Sequence, residues 1–197
     1  MPIEFQLALR AETFARIMTG NITTWNDPSI VADNPDYTLP PHNITVVYNP
    51  APSSTNRIFC YALSQIDSTF ATLVGNGTTY TCNWTAVWSR TANYLLAYHW
   101  TDSNYIVENT NYSIGYTTPE EASVLGTPYG DMINAAGERV SINSDTLLVA
   151  ALEMGIYTNG TMYDFSHGTS RFAYPIASPI NFVYNVQQAR TTVCITA

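Results

Sequence analysis

The chain has 197 residues and a mass of 21.8 kDa; 46% of the residues are hydrophobic and 11% are charged, against roughly 25% charged residues in an average soluble domain. All seven cationic residues are arginines, and the formal net charge is −8. This balance excludes a nucleic-acid-binding protein and a membrane-surface protein, because both need a basic patch. No apolar run reaches the ~20 residues that insert across a bilayer, so we expect a soluble chain of one large or two small domains.

The first predicted elements are helices around a buried strand. Apolar side chains at helical spacing predict a helix over residues 9–18, with Gly20 as its C-terminal glycine. After a turn, Pro28 is placed to open a second short helix. The β-branched run 44–48 predicts a strand, and the spacing at 57–64 predicts a helix after a Pro-rich loop. Strand, loop and helix in this order are typical of an α/β unit.

The second half of the chain continues this pattern. Residues 112–116 predict a strand. Thr118 precedes a proline and two glutamates, which predicts a helix start, and Gly126 is placed to end that helix. Residues 132–142 predict a hairpin, and a further helix is expected over 144–154.

The cysteines point to an oxidising compartment. Cys60, Cys82 and Cys194 have no C-x-x-C spacing and there are three histidines, so we expect no metal site and no cofactor. A Cys60–Cys82 disulfide is the expected pairing, with Cys194 single or bonded to another segment; a cytosolic protein with free thiols is the alternative. The first five residues lack the features of a signal peptide, so we expect any targeting signal to be removed or to lie outside this sequence.

Glycosylation sequons are a second indication of secretion. The pattern Asn-x-Ser/Thr occurs at Asn21, Asn43, Asn76, Asn83, Asn111 and Asn159. Each position falls where a turn or a strand edge is predicted. Together with the absence of lysine and the odd cysteine count, the sequons favour a secreted or cell-surface glycoprotein carrying N-linked glycans.

Several motifs resemble those of a known family. Residues 17–28, I-M-T-G-N-I-T-T-W-N-D-P, are similar to the pattern I-F-x-G-x-I-x-x-W-N-D-P of the phosphate-specific substrate-binding proteins of ABC transporters. Those proteins have the two-lobed type II periplasmic binding protein (PBP) fold. Further similarities are N-P at 34–35, L-P at 39–40, I-T-V-V at 44–47, S-I-G-Y at 113–116, N-A-A-G-E at 134–138 and A-Y-P-I at 173–176.

The resemblance implies an α/β fold, namely a PBP-like lobe with a mixed sheet flanked by helices. We expect residues 1–197 to form a single PBP-like domain. Within it, about 9–170 would correspond to the second lobe and about 171–197, including a predicted strand at 180–184, to a segment returning toward the first lobe. The family segment that precedes the W-N-D-P helix has no counterpart here, so we expect the first lobe to be incomplete and half of the binding cleft to be missing.

The loop after the buried strand departs from the family pattern. Family members read roughly V-V-x-R-x-D-x-S-G-T-T there, and the resemblance implies that the arginine, the serine and the amides at the helix start hold phosphate. In this sequence Asn49 takes the place of that arginine, Ser53 and Thr55 match, and Ser54 replaces the glycine. A helix N-terminus attracts an anion by about 0.3–1 kcal/mol at an exposed site. Without the bidentate arginine this cannot offset the desolvation of phosphate, so we expect lost binding, with the serines and threonine acting as cap and loop residues.

Catalytic motifs are absent from the sequence. There is no G-x-S-x-G, H-E-x-x-H or Walker motif. His167 has Ser166 and Asp164 beside it, but residues so close in sequence rarely converge into a catalytic triad. We therefore expect no enzyme. An aromatic cluster could form a glycan- or partner-binding surface or could be core; its members are Trp84, Trp88, Tyr94, Tyr98 and Trp100. Trp25 is expected in the core.

Three functions follow from these patterns. The first is a non-catalytic extracellular glycoprotein module, a structural subunit of a self-assembling fibre or cell-surface coat, joined to copies of itself or to neighbouring modules through an unfilled cleft and sheet edge. The second is a phosphate or oxyanion receptor that uses Asn49, Ser53, Ser54 and Thr55. The third is a carbohydrate-binding module built on the aromatic cluster.

Overall fold

The computed structural model describes residues 6–77, 80–88, 93–153 and 170–177, with the backbone alone at positions 88 and 100. Its strands are β1 (Ala8–Arg10), β2 (Thr45–Tyr48), β3 (Tyr94–Leu96), β4 (Ser113–Ile114), β5 (Asp131–Ile133) and β6 (Arg139–Val140). Its helices are α1 (Ala11–Met18), α2 (Pro28–Asp33), α3 (Ser54–Ile66), α4 (Ser68–Leu73), α5 (Thr85–Trp88), α6 (Trp100–Asn109), α7 (Pro119–Leu125) and α8 (Ser144–Glu153). The α/β prediction is confirmed.

The described strands form two three-stranded sheets. In the first sheet β1 lies parallel to β5, and β5 lies antiparallel to β6. In the second sheet β2 is central and lies parallel to both β3 and β4. The first sheet is thus mixed, as the resemblance implies, and the second is parallel. Val46 and Val47 of β2 are both buried although they point to opposite faces, because helices cover a parallel sheet on both sides.

The first helix begins later than its sequence pattern predicts. Leu9 lies in β1, in register with Met132 of β5, and Arg10 keeps an extended backbone with φ −66° and ψ 147°. Pairing with β5 already holds residues 8–10 in an extended conformation, so the helix starts at Ala11. Its end agrees with the prediction, because Gly20 adopts φ +73°, a left-handed conformation that glycine tolerates.

The outer edge of β1 is closed by side chains from the end of α2. The Asn34 side chain makes the hydrogen bonds that a neighbouring strand would make. Its Oδ1 accepts the backbone N–H of Ala8 at 2.9 Å, and its Nδ2 donates to the Ala8 carbonyl at 2.8 Å. Asp33 accepts the N–H of Arg10 at 2.9 Å and pairs with the Arg10 guanidinium at 2.5 Å. Both edge-closing residues are buried. Free backbone groups at a strand edge can pair with another strand, whereas those of Ala8 and the N–H of Arg10 are already bonded to side chains.

Three other predicted elements are confirmed. Helix α2 begins at Pro28, with the side chain of Asp27 capping it. Helix α7 begins after Thr118 in a reciprocal capping box and ends at Gly126 with φ 71°. The predicted hairpin consists of β5 and β6. These are the places where cap and turn residues determine the local backbone.

Most of the core lies between the sheets and helices α1, α3 and α4. Phe59 of α3 meets Phe14 and Phe70 edge to face, with ring centroids 5.6 and 6.2 Å apart. Trp25 is buried as predicted, and its indole N–H donates to the Tyr112 carbonyl at 3.0 Å. Within the described residues, no helix has the length and apolar character needed to cross a membrane.

Several predictions fall outside the described residues. They concern the strand at 180–184, the sequon at Asn159, the partner of Cys194 and the neighbours Asp164, Ser166 and His167. The division of the chain near residue 170 also stays a prediction.

Candidate ligand loop

The segment 49–55, called the ligand loop below, lies at the carboxyl edge of the parallel sheet. It follows β2 directly and leads into α3, while α6 follows β3 and α7 follows β4 at the same edge. In open α/β sheets small molecules bind outside the carboxyl ends of the strands. The ligand loop therefore occupies the position at which a protein of this class holds its ligand.

The predicted site residues of the loop make hydrogen bonds within the loop and to the first turn of α3. Asn49 folds its side chain back, so that its Oδ1 accepts the N–H of Ala51 at 2.8 Å. Ser53 caps α3, with its hydroxyl accepting the N–H of Asn56 at 3.0 Å. Ser54 is exposed and Thr55 is half-buried in the first turn. Ser53 thus has the structural role of a helix cap.

Asn56 is the residue that the sequence reasoning missed. It is 1% exposed, and its Nδ2 donates to two loop carbonyls, that of Asn49 at 2.8 Å and that of Ala51 at 2.6 Å. The loop therefore turns hydrogen-bond acceptors inward, and one amide group satisfies both. The available signal was that Asn56 shares the apolar helical face of Phe59 and Leu63, where a polar residue requires a partner.

Tyr116 continues this network into the core. Its hydroxyl donates to Asn56 Oδ1 at 2.5 Å and lies 3.3 Å from the Asn49 carbonyl oxygen. Its ring stacks on Phe59 with centroids 3.9 Å apart and an interplanar angle of 5°. Burial raises the pKa of the Tyr116 phenol above its ordinary value, so the group stays protonated and acts as a donor. The loop is therefore held both by the Asn56 amide inside it and by the Tyr116 hydroxyl from the core.

Carboxylates stand at the two neighbouring helix starts. Asp102 Oδ2 accepts the backbone N–H of His99 at 3.1 Å where α6 begins. Glu121 Oε2 accepts the backbone N–H of the cap residue of α7 at 3.2 Å. A helix N-terminus favours negative charge, and these carboxylates already supply it. A phosphate at this edge would face like charges.

The cation nearest to the loop in sequence is turned toward Tyr80. Arg57 Nη1 donates to the Tyr80 hydroxyl at 2.8 Å, and its guanidinium carbon lies 4.8 Å from the Tyr80 ring centroid. The Tyr80 carbonyl accepts the N–H of Ser53 at 3.0 Å. The predicted Cys60–Cys82 disulfide is present, with a Cα–Cα distance of 6.2 Å, and ties this segment to α3.

The aromatic cluster is divided between core and surface. Trp84 is 1% exposed and packs near Tyr48 and Phe70, so it is core. Tyr94 is half-buried and donates its hydroxyl to the Met18 carbonyl, whereas Tyr98 is 72% exposed. The side chains of Trp88 and Trp100 lie outside the described residues. In the described part of the chain, no three His, Cys, Asp or Glu residues are arranged to hold a metal ion.

Comparison with known proteins identifies relatives for most of the chain. A family model described as a PBP superfamily domain matches residues 2–184. The phosphate-binding protein PstS of Haemophilus influenzae is 30% identical over 146 residues, which are 74% of this chain and 41% of that protein. PstS of Xylella fastidiosa is 27% identical over 187 residues, 94% of this chain and 48% of that protein.

Two further similarities are more limited. The phosphate-binding protein PstS3 of Mycobacterium bovis is 45% identical over 53 residues, 27% of this chain and 14% of that protein. Among solved structures, a phosphate-binding protein from Stenotrophomonas maltophilia superposes with a TM-score of 0.42 and 16% identity, over 59% of this chain and 32% of that one. This chain spans less than half the length of each of these proteins. From the family match over residues 2–184, the chain belongs to the PBP superfamily.

Proposed function

We propose that this chain is a non-catalytic PBP module whose ligand loop is closed on itself and no longer takes up phosphate. The observation that carries the proposal is the position of Asn56, whose side-chain amide fills the loop and binds the carbonyls of Asn49 and Ala51. At neutral pH inorganic phosphate carries hydroxyl protons, but its unprotonated, negatively charged oxygens need hydrogen-bond donors. A loop that turns carbonyl oxygens inward offers such an anion repulsion where donors are needed.

Electrostatics supports the same conclusion. Asn49 stands where the family pattern has its arginine, and Asp102 and Glu121 occupy the neighbouring helix starts. The exposed N-terminus of α3 contributes about 0.3–1 kcal/mol to anion binding, whereas binding with a micromolar dissociation constant requires about 8 kcal/mol. Among the described residues at this edge, Arg57 is the nearest cation in sequence, and it is turned toward Tyr80.

The finer proposal is that the module is a structural subunit of an extracellular fibre or coat, held by copies of itself or by neighbouring modules. The low charge, the sequons and the disulfide support an extracellular place. Because Asp33 and Asn34 close the edge of β1, assembly would use other surfaces. Electron microscopy of native material tests this point: filaments or a surface lattice are expected, and dispersed single particles would contradict it.

Isothermal titration of the purified chain with phosphate tests the loop proposal, with PstS of Haemophilus influenzae as the positive control. We expect heats equal to those of dilution for this chain and a saturating isotherm for the control. A matched variant, Asn56→Thr, removes the amide that fills the loop while restoring the residue type of the family pattern. Micromolar binding by the unmodified chain would overturn the proposal.

A phosphate or oxyanion receptor is the second candidate. It is favoured by the names of the relatives and by the exposed first turn of α3, where Ser54 and Thr55 stand. The same titration decides between the two functions. A carbohydrate-binding module is the third, since Tyr98 is largely exposed. It predicts that Trp88→Ala and Trp100→Ala reduce retention on a glycan array without unfolding the chain.

A further inference from the structure

Two sequons meet at the amino end of the parallel sheet, opposite the ligand loop. Thr45 of β2 is in register with Ser113 of β4, and each is the hydroxyl residue of a sequon that begins two positions earlier. The N–H of Thr45 donates to the carbonyl of Tyr112 at 3.0 Å. Asn43 and Asn111 each precede their strand by two residues, so both lie at the amino end of the same parallel sheet.

Both asparagines are accessible. Asn43 and Asn111 are exposed, and within the described residues neither side-chain amide has a hydrogen-bond partner. Asn83 is also exposed, and its Oδ1 accepts a hydrogen bond from the Thr85 hydroxyl of its own sequon. The amide nitrogens of Asn43 and Asn111 are free to carry a substituent.

An aromatic pair is formed by residues adjacent in sequence to these two asparagines. The ring of His42, the residue before Asn43, lies 4.1 Å from the ring of Tyr112, the residue after Asn111, with an interplanar angle of 31°. Tyr112 is 44% exposed and His42 is also exposed. Tyr112 holds a left-handed backbone with φ 61°, and its carbonyl accepts the Trp25 indole N–H as well as that of Thr45. The ring pair is fixed in place and open to solvent.

We propose that this end of the molecule is an N-glycosylated face with glycans on Asn43 and Asn111. The His42–Tyr112 pair is the surface on which the asparagine-linked sugar of these glycans packs. Rings with an apolar face and a polar edge suit such a wet contact. The donor is a lipid-pyrophosphate-linked oligosaccharide. A bond forms between the asparagine Nδ2 and the anomeric carbon, the bond from that carbon to the pyrophosphate oxygen breaks, the lipid pyrophosphate leaves with the electron pair, and Nδ2 loses one proton.

The position of this face separates modification from the ligand loop. Asn43 precedes β2 and Asn49 follows it, so the two ends are roughly 20 Å apart at about 3.3 Å per residue. A glycan on this face leaves the carboxyl edge of the sheet accessible. The proposal is independent of whether the ligand loop binds phosphate.

Site mapping tests the attachment points. The full chain, secreted from a eukaryotic host, is digested with peptide N-glycosidase in heavy-oxygen water, which labels each formerly glycosylated asparagine as aspartate. We expect label at positions 43 and 111, and loss of one glycan from each of the variants Asn43→Gln and Asn111→Gln. The non-sequon Asn26→Gln is the matched exposed control and should lose none. Unlabelled asparagine at both positions would overturn the proposal.

Thermal unfolding tests the aromatic surface. Endoglycosidase H leaves the first sugar on each asparagine, whereas peptide N-glycosidase removes it. We expect the trimmed chain to melt about 2–4 °C above the fully deglycosylated chain, and the variant His42→Ala to reduce this difference. An identical difference in His42→Ala, or no difference in the unmodified chain, would refute the packing role of the ring pair.

Discussion

Two asparagines, Asn34 and Asn56, do similar work in regions with opposite relations to the family pattern. Asn34 closes the edge of β1 and belongs to an N-P pair that matches the pattern. Asn56 closes the ligand loop, where the sequence departs from the pattern. Side-chain amides therefore hold backbone groups in both regions, a strand edge in the first and two loop carbonyls in the second. The chain keeps the PBP fold, and on the function proposed above Asn56 stands where the ligand contacts of the family would lie.

The largest expected effect comes from removing the first of these amides. Asn34→Ala leaves the buried N–H and carbonyl of Ala8 without their side-chain partners, and we expect the free energy of unfolding to fall by about 3–4 kcal/mol. Urea denaturation measures this change. The exposed Asn26→Ala is the matched control and should stay within about 0.5 kcal/mol of the unmodified chain. A loss below about 1 kcal/mol for Asn34→Ala would mean that the β1 edge is not held by this contact.

The disulfide beside the ligand loop is expected to have the next largest effect. Cys60 and Cys82 close a loop with a sequence separation of 22 residues, for which chain entropy predicts about 3 kcal/mol of stabilisation. The double variant Cys60→Ala/Cys82→Ala should unfold at correspondingly lower urea concentration. Reductant should lower the midpoint of the unmodified chain and leave that of the variant unchanged. Equal midpoints for the unmodified chain and the double variant, both measured without reductant, would contradict the prediction.

Asn56→Ala opens the loop network at a smaller cost. We expect the free energy of unfolding to fall by about 2 kcal/mol, because the Tyr116 hydroxyl and two loop carbonyls lose a partner while lying partly within reach of water. Asn49→Ala is the matched comparison, since it removes one side-chain acceptor and keeps the carbonyl; its expected loss is below about 1 kcal/mol. Equal losses from the two variants would show that Asn56 is not the centre of the network.

The smallest effect is confined to alkaline solution. Burial raises the pKa of Tyr116 above the ordinary value of 10.0 and that of Tyr174 to about 12. The unfolded chain loses these protons first, so the stability is present below about pH 10 and is lost as the pH rises toward the folded-state values. Tyr116→Phe should make this loss shallower by up to about 1.4 kcal/mol per pH unit, with the exposed Tyr105→Phe as control. Unfolding curves at pH 9 to 11 that fall equally in all three proteins would contradict it.

Local signals made most of the fold predictable. The proline at Pro28, the cap at Thr118 and the glycine at Gly126 determine the backbone through their own chemistry, and each element they predict is present. The start of α1 was not predictable in this way. Leu9 has the spacing of a helix residue, and its strand conformation depends on β5, more than a hundred residues later in the chain. Periodicity does not report a partner so distant in sequence.

The ligand loop was predictable in composition but not in contacts. The loss of arginine at position 49 is visible in the sequence, and it implied weakened phosphate binding. The closure of the loop depends on Tyr116 reaching Asn56 across 60 positions of the chain. Such a contact arises only when β2 and β4 lie side by side. The exposed state of Asn43 and Asn111 likewise becomes informative only because Thr45 and Ser113 pair and bring the two sequons to one end of the sheet.

The state of the ligand loop in the presence of phosphate tests the central claim most directly. The backbone amide resonances of Ser54, Thr55 and Asn56 report on the start of α3 and can be followed by NMR while phosphate is added at constant ionic strength. We predict that these resonances do not move beyond the shifts produced by equal concentrations of chloride. Saturating shifts at micromolar phosphate in these three amides would contradict the account, because they would place the anion at the start of α3, beside the loop that the Asn56 side chain fills.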